Sequence, residues 1–302
     1  MEKIWTTLAN ELAETSAEAG KSIVSVQGAR HSSSAIVIAG DAVVAASHAV
    51  RRDDEITVAT APGQRLPARV AGRDPGTDLA VLRLEHAIDA PAVRWASTSN
   101  LRVGELVLAL ARTRRGNVVA SSGIISGFIN GPLQTWRGGE LDQFIRPDLT
   151  LYPGFSGGPL VNSHGGFLGM NTAGLHRSGI TVPSSTVARV SAELLQKGRV
   201  DRPYLGLAMQ TVPLPESLRS RLNLSSGEGL LVVHVELESP AEKAGVLLGD
   251  LLLALDGKPM ADTDSVQGIL RAHKPEDQVD ADFVRGGTLI EVKIKLSARG
   301  AK

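Results

Sequence analysis

The sequence predicts a mostly β chain in two parts, an antiparallel barrel or sandwich followed by a smaller mixed α+β unit. Three observations carry this. Between residues 21 and 182, short apolar runs recur at 23–26, 35–38, 43–46, 79–84, 106–110, 118–126 and 167–171, punctuated by glycine, proline and aspartate. No amphipathic helix separates these runs, which argues against βαβ units and most nucleotide-binding folds. After Pro183 the period changes, with Val187, Val190 and Leu194 at helical spacing, Ser184 or Ser185 placed to cap the helix and Gly198 to end it.

The 302 residues suit two domains. Residues 1–20 form the first element, an amphipathic helix with Ile4, Leu8 and Leu12 at four-residue spacing among glutamates. Residues 21–198 make the larger domain, and the short charged stretch 197–203 reads as a linker. The smaller domain occupies 203–299, with apolar runs at 230–235, 251–255 and 289–296 and a helix over 265–272 carrying Val266, Ile269 and Leu270.

Lysine plus arginine equal aspartate plus glutamate at 32 each, so no charge excess points to nucleic acid or anionic lipid. The absence of cysteine excludes disulfides, thiolate metal sites and a cysteine nucleophile. No window is apolar enough to span a membrane. The first twenty residues lack a signal-peptide core, which predicts a cytoplasmic chain, or a periplasmic or extracytoplasmic one if the sequence is truncated.

The segment Gly154-Phe155-Ser156-Gly157-Gly158-Pro159 places a serine among three glycines, whose freedom lets amides converge on a developing oxyanion. A serine hydroxyl needs a base to take its proton and an acid to orient that base. His48, after the run 43–46, and Asp78, in Thr77-Asp78-Leu79-Ala80-Val81-Leu82, supply both types. Asp74 competes as the acid, but its Asp-Pro-Gly setting reads as a turn. The order His, Asp, Ser with a longer second gap is that of chymotrypsin-like peptidases. Six further histidines, His31, His86, His164, His176, His234 and His273, lack metal-ligand spacing and are expected at the surface.

Across nearly its full length the chain resembles the HtrA (DegP-like) family of PDZ-containing serine proteases. Matching segments include Leu101-Arg102-Val103-Gly104-Glu105, Gly123-Ile124-Ile125-Ser126, the serine motif and Ile180-Thr181-Val182-Pro183. The resemblance implies a chymotrypsin-like double β-barrel, His48 as general base, Asp78 as orienting acid, Ser156 as nucleophile, and the amides of Gly154 and Ser156 as oxyanion hole. Thr150, six residues before the serine, corresponds to the floor of the primary pocket, and its lack of charge implies small or medium aliphatic specificity. Phe155 stands where the family usually has asparagine, Ala45-Ala46-Ser47 replaces Thr-Asn-Asn, and 111–117 is basic and lacks a Gly-Asn-Pro turn.

In the smaller domain Tyr204-Leu205-Gly206-Leu207 resembles the carboxylate-binding loop of PDZ domains, and the segment from Ser239 to Asp250 resembles their most recognisable stretch. Backbone amides of such a loop hold a peptide's C-terminal carboxylate while the peptide joins the sheet edge, with Leu205 and Leu207 lining the last side-chain pocket. Expected partners are therefore polypeptide substrates, preferentially unfolded ones, and peptide C-termini. The resemblance also implies a homotrimer; the helix carrying Trp5 is a candidate contact, and packing of that helix on its own domain explains it equally well. No cofactor is required by this chemistry.

Two rivals remain. An α/β-hydrolase esterase would read the serine motif as G-x-S-x-G, but that elbow leads into a helix, whereas Leu160-Val161 and a Gly165-Gly166 turn follow here. A catalytically degenerate scaffold would keep the barrel and PDZ domain as a peptide-binding or chaperone-like module.

Overall fold

Val24 and Val26 on one strand enter one apolar cluster while Ile23 enters another, and this period-two division, with both faces apolar, makes the larger unit a pair of packed barrels. The computed structural model describes residues 2–28, 32–50, 56–60, 65–135, 138–176, 179–222, 224 and 226–298, in two compact units, 1–200 and 201–302. Helix α1 (Glu2–Gly20) opens the first unit, with Ala19 buried and Leu12 packed on the core while Ile4 and Trp5 are exposed.

Strands β1 (Ile23–Gln27), β2 (Ser32–Ala39), β3 (Ala42–Ala46), β4 (Ile56–Ala59), β5 (Arg65–Asp74) and β6 (Leu79–Leu84) close a barrel in the order β1-β2-β3-β6-β5-β4. Its interior is Val37, Val43, Val58, Leu82 and their neighbours. Strands β7 (Leu106–Arg112), β8 (Val118–Gln134), β9 (Glu140–Asp148), β10 (Pro159–Asn162), β11 (Phe167–Thr172) and β12 (Ile180–Pro183) close a second, in the order β10-β11-β12-β9-β8-β7, around Ile125, Ile145, Leu160 and Leu168. The residues that point the other way, among them Ile36, Val44 and Leu79 from the first barrel and Leu110, Val161 and Met170 from the second, meet in a shared core. The expected double barrel is thus what forms.

Helix α2 (Ser184–Lys197) packs its fully buried Val187, Val190 and Leu194 against that shared core. Gly198 ends it in the left-handed region, φ 75°, as expected. The expected serine cap does not form: Pro183 occupies the N-cap position, and the Ser184 hydroxyl donates to the Ala96 carbonyl instead, at 2.7 Å.

The second unit contains β13 (Pro203–Tyr204), β14 (Leu207–Pro213), α3 (Glu216–Leu222), β15 (Glu228–Val235), α4 (Pro240–Lys243), β16 (Leu251–Leu255), β17 (Lys258–Pro259), α5 (Thr263–Leu270), β18 (Gln278–Arg285), β19 (Thr288–Lys295) and β20 (Ser297–Ala298). Its main sheet runs β14-β15-β16-β18-β19, leaving β14 at an edge beside α5. Val266, Ile269 and Leu270 of α5 are buried as expected, and Asp262 caps the helix by accepting from Ser265 N at 2.7 Å. Among the described residues no helix is long and apolar enough to cross a membrane.

Candidate active site

Antiparallel register brings His48 to Asp78. Ala46 at the end of β3 pairs with Leu79 at the start of β6, so the 3-10 turn Ser47–Ala49 and the residue preceding β6 are neighbours. The Asp78 carbonyl accepts from Ser47 N at 2.9 Å. One carboxylate oxygen takes the His48 amide at 2.9 Å, and the other lies 2.6 Å from His48 Nδ1. Asp78 adopts φ 58°, a left-handed conformation that aspartate tolerates, and its side chain is fully buried. A buried carboxylate needs donors, and the Thr172 hydroxyl at the end of β11 gives Oδ2 a further one. With Nδ1–H held by Asp78, the neutral His48 ring presents Nε2 as the proton acceptor, and the ring is 31% exposed. The rival acid, Asp74, accepts instead from Gly76 N at 3.1 Å, Thr77 N at 3.3 Å and Thr77 Oγ1 at 2.6 Å, the bonds of a turn.

Ser156 sits in a turn closed by Phe155 N to the Tyr152 carbonyl and by Gly158 N to the Phe155 carbonyl, both at 3.0 Å. Phe155, the departure from the family pattern, is 3% exposed and anchors the turn in the second barrel's core beside Ile125 and Leu160. Ser34 on β2 ties the turn to the first barrel: its amide donates to the Ser156 carbonyl at 3.1 Å and its hydroxyl to the Gly154 carbonyl at 2.8 Å. Gly157 tolerates no side chain, because its φ is 87° and a Cβ would lie 2.0 Å from the Ser34 oxygen.

The segment 172–174 touches all three candidate residues. Thr172 donates to Asp78, and Ala173 N donates to Ser156 Oγ at 3.3 Å. A Cβ on Gly174 would lie 2.5 Å from His48 Nδ1 and 2.6 Å from Asp78 Oδ2. His48 and Asp78 are therefore in direct contact, while Ser156 touches the same segment and, among the described residues, makes no hydrogen bond to the imidazole. Among the described residues the amides of Gly154 and Ser156 have no acceptor. Thr150 is exposed just after β9. Next to it the half-buried Leu151 faces Gly179, whose Cβ position is 2.5 Å from Leu151 Cδ1.

In the second unit Tyr204 pairs with Ser297, and Leu205 is buried in the core with Leu207 packed against it. The Leu205 carbonyl accepts from Ala241 N and the Gly206 carbonyl from Glu236 N, both at 2.9 Å. Asp250 fixes the neighbouring loop through Leu247 N at 2.7 Å and through Arg285, whose Nε and Nη2 reach its two oxygens at 2.8 and 2.7 Å. Burial opposes ionisation of Asp250, and the Arg285 and Leu247 hydrogen bonds outweigh it, holding its pKa below the ordinary carboxylate value.

A model of the trypsin-like peptidase domain matches residues 33–170, and a PDZ domain model matches 203–296. Serine protease Do-like HtrA of Lactobacillus helveticus is 32% identical over 268 residues, covering 84% of this chain and 64% of that protein. The chain belongs to the HtrA family. A probable periplasmic serine endoprotease DegP-like protein of Pseudomonas fulva is 32% identical over 266 residues, 84% of this chain and 53% of that one, so the chain spans between about half and two thirds of these HtrA relatives. The solved structure of the HtrA-type protease AlgW with a tripeptide superposes with a TM-score of 0.69 at 25% identity, covering 96% of this chain and 98% of that one. The cytoplasmic expectation does not stand: HtrA relatives from Pseudomonas fulva, Ectopseudomonas mendocina and Chlamydia pneumoniae are named periplasmic. The residues it rested on form α1, which packs on the first unit and carries no information about compartment.

Sequence reasoning missed Ser34, Thr172 and Gly174. The triple serine 32–34 at the head of an apolar run and the Asn171-Thr172-Ala173-Gly174 step after another were the available signals. Of the histidines expected at the surface, His86, His164, His176 and His234 are exposed and His31 lies outside the described residues. His273 departs from the expectation: it is half-buried, with Nε2 2.7 Å from Asp256 Oδ2.

Proposed function

We propose that this chain is a serine endopeptidase acting on polypeptides, preferentially unfolded ones, with His48, Asp78 and Ser156 as its triad. The observation that carries the reading is the paired His48 and Asp78, joined through segment 172–174 to a serine whose neighbouring amides are unsatisfied. His48 Nε2 takes the proton as Ser156 Oγ bonds to the scissile carbonyl carbon, and the oxyanion is held by the amides of Gly154 and Ser156. Collapse breaks the C–N bond, the departing amine receives the proton from His48, and the acyl group stays on Ser156. A water deprotonated by the same imidazole then releases it. Asp78 holds the ring's tautomer and stabilises its cation, and Thr172 and Ser47 fix Asp78.

Thr150, with Leu151, serves as an uncharged primary subsite for small or medium aliphatic side chains. In the second unit Leu205, Gly206 and Leu207, with Tyr204 securing the loop, receive a peptide C-terminus that extends along the free edge of β14. Residues 1–20, 21–198 and 203–299 are the functional parts, and the exposed Ile4 and Trp5 of α1 are a candidate contact in a homotrimer.

The degenerate-scaffold reading has one observation in its favour, the Ser156 hydroxyl bonded to Ala173 N rather than to His48. Catalytic hydrogen bonds often tighten only when substrate arrives, so this geometry is compatible with activity. Incubation with a permanently unfolded polypeptide decides between them. Fragmentation by the native chain, absent in Ser156→Ala, is expected; an intact polypeptide after prolonged incubation with folded native chain rejects the peptidase.

A further inference from the structure

The proposed peptidase does not account for the basic turn between β7 and β8, Arg112-Thr113-Arg114-Arg115-Gly116-Asn117. Backbone bonds shape it tightly, with Thr113 N to the Asn117 carbonyl and Gly116 N to the Thr113 carbonyl, both at 2.9 Å. Arg112 is consumed internally. Its guanidinium donates to the carbonyls of Gly20, Ile23 and Gly116, and burial lowers its pKa. Arg114 and Arg115 are exposed, and among the described residues neither guanidinium has an acidic partner.

Two routes connect this turn to the loop of Ser156. Arg112 N donates to Ser34 Oγ at 3.0 Å, and that hydroxyl donates to the Gly154 carbonyl at 2.8 Å. Independently, the Arg114 carbonyl accepts from Gln27 Nε2 at 3.2 Å, Gln27 pairs with Ser32, and the Ser32 oxygen is 3.6 Å from the Cβ position of Gly154. Two free cations on a braced turn thus stand one strand away from the proposed oxyanion donors.

The serine divides this surface into two sides. Its hydroxyl faces 172–174, and its carbonyl faces Ser34. The Thr150–Leu151 subsite lies on the first side, because Gly179 abuts both Leu151 and the Thr172 carbonyl. A bound substrate therefore lays its acyl half along 172–174, and its amine half leaves on the opposite side, past the half-buried Ser32 and towards the turn. An extended chain advances about 3.3 Å per residue, so the second and third residues past the scissile bond come within reach of an arginine on the adjacent turn.

We propose that Arg114 and Arg115 are specificity-determining residues that select acidic side chains at the second and third positions on the leaving-group side of the scissile bond. The proposal rests on the peptidase reading. Because the whole chain is electrically neutral, this local pair of charges is not diluted by a general positive field.

Two fluorogenic peptides, identical except for Glu or Gln at those two positions, test it on the full chain. The Glu peptide is expected to have a kcat/KM roughly three- to ten-fold higher, the size two exposed ion pairs support. The ratio should fall towards one as salt rises to about 0.5 M, where screening is short-ranged. It should be close to one in the Arg114→Gln/Arg115→Gln variant and inverted in Arg114→Glu/Arg115→Glu. Each ratio is taken within one preparation, so partial misfolding of a variant cancels. A ratio near one in the native chain, with both peptides cleaved, overturns this inference and leaves the peptidase intact, as does a ratio unchanged in the double variants. If neither peptide is cleaved and no fluorophosphonate is incorporated, the peptidase reading fails and the inference falls with it.

Discussion

At the residue scale, the candidate site depends on side chains that do no chemistry themselves. Thr172 supplies a donor to a carboxylate that would otherwise be under-satisfied in a fully buried setting, and Gly174 leaves the room in which the Asp78–His48 contact forms. Gly174→Ala is expected to leave the chain folded, since φ there is not in the left-handed region, but to push His48 or Asp78 aside. A displacement near 1 Å at such a site costs about 10²-fold, so kcat/KM on a peptide substrate should drop by that order. An Ala variant with undiminished kcat/KM would show that the contact is not needed. His48, Asp78 and Ser156 were legible in the sequence as types in an order. Their supports were not, because Thr172 and Ser34 act through a hydroxyl whose partner is distant in the chain, 94 residues for Thr172 and 120 for Ser34.

At the scale of elements, periodicity reveals strands whose two faces are both buried and hides those that are not. Strands β1, β3 and β11 are buried throughout and were foreseen at least in part, whereas β5 and β9 alternate more and less buried positions and carry arginine, aspartate and proline. Without a long apolar run to mark them, only closure of each barrel makes those strands necessary. The Ser184 cap failed for a related reason, since a tertiary partner, the Ala96 carbonyl, took the hydroxyl.

In the second unit the loop that ends at Asp250 is held by a bidentate arginine and a backbone amide, and Asp250 is nearly inaccessible. Its depressed folded pKa means that ionisation stabilises the fold. That contribution is complete above the unfolded value of about 3.9 and is lost as pH falls through the lower folded value. Asp250→Asn should therefore lower the hydrogen-exchange protection of β16 amides at pH 7 by about 2 kcal/mol, the scale of a charge-assisted bond, with the gap closing below about pH 4. A gap independent of pH would assign the effect to packing instead.

At the scale of the whole molecule, the chain joins a trypsin-like barrel pair to a PDZ unit without cysteine, without net charge and without a membrane-spanning helix among the described residues. The most direct measurement is fluorophosphonate labelling of the full chain, with the modified residue identified by mass spectrometry. The account predicts a single adduct on Ser156, absent in Ser156→Ala and His48→Gln. A folded native chain that takes no label, or takes it on another residue, would contradict it.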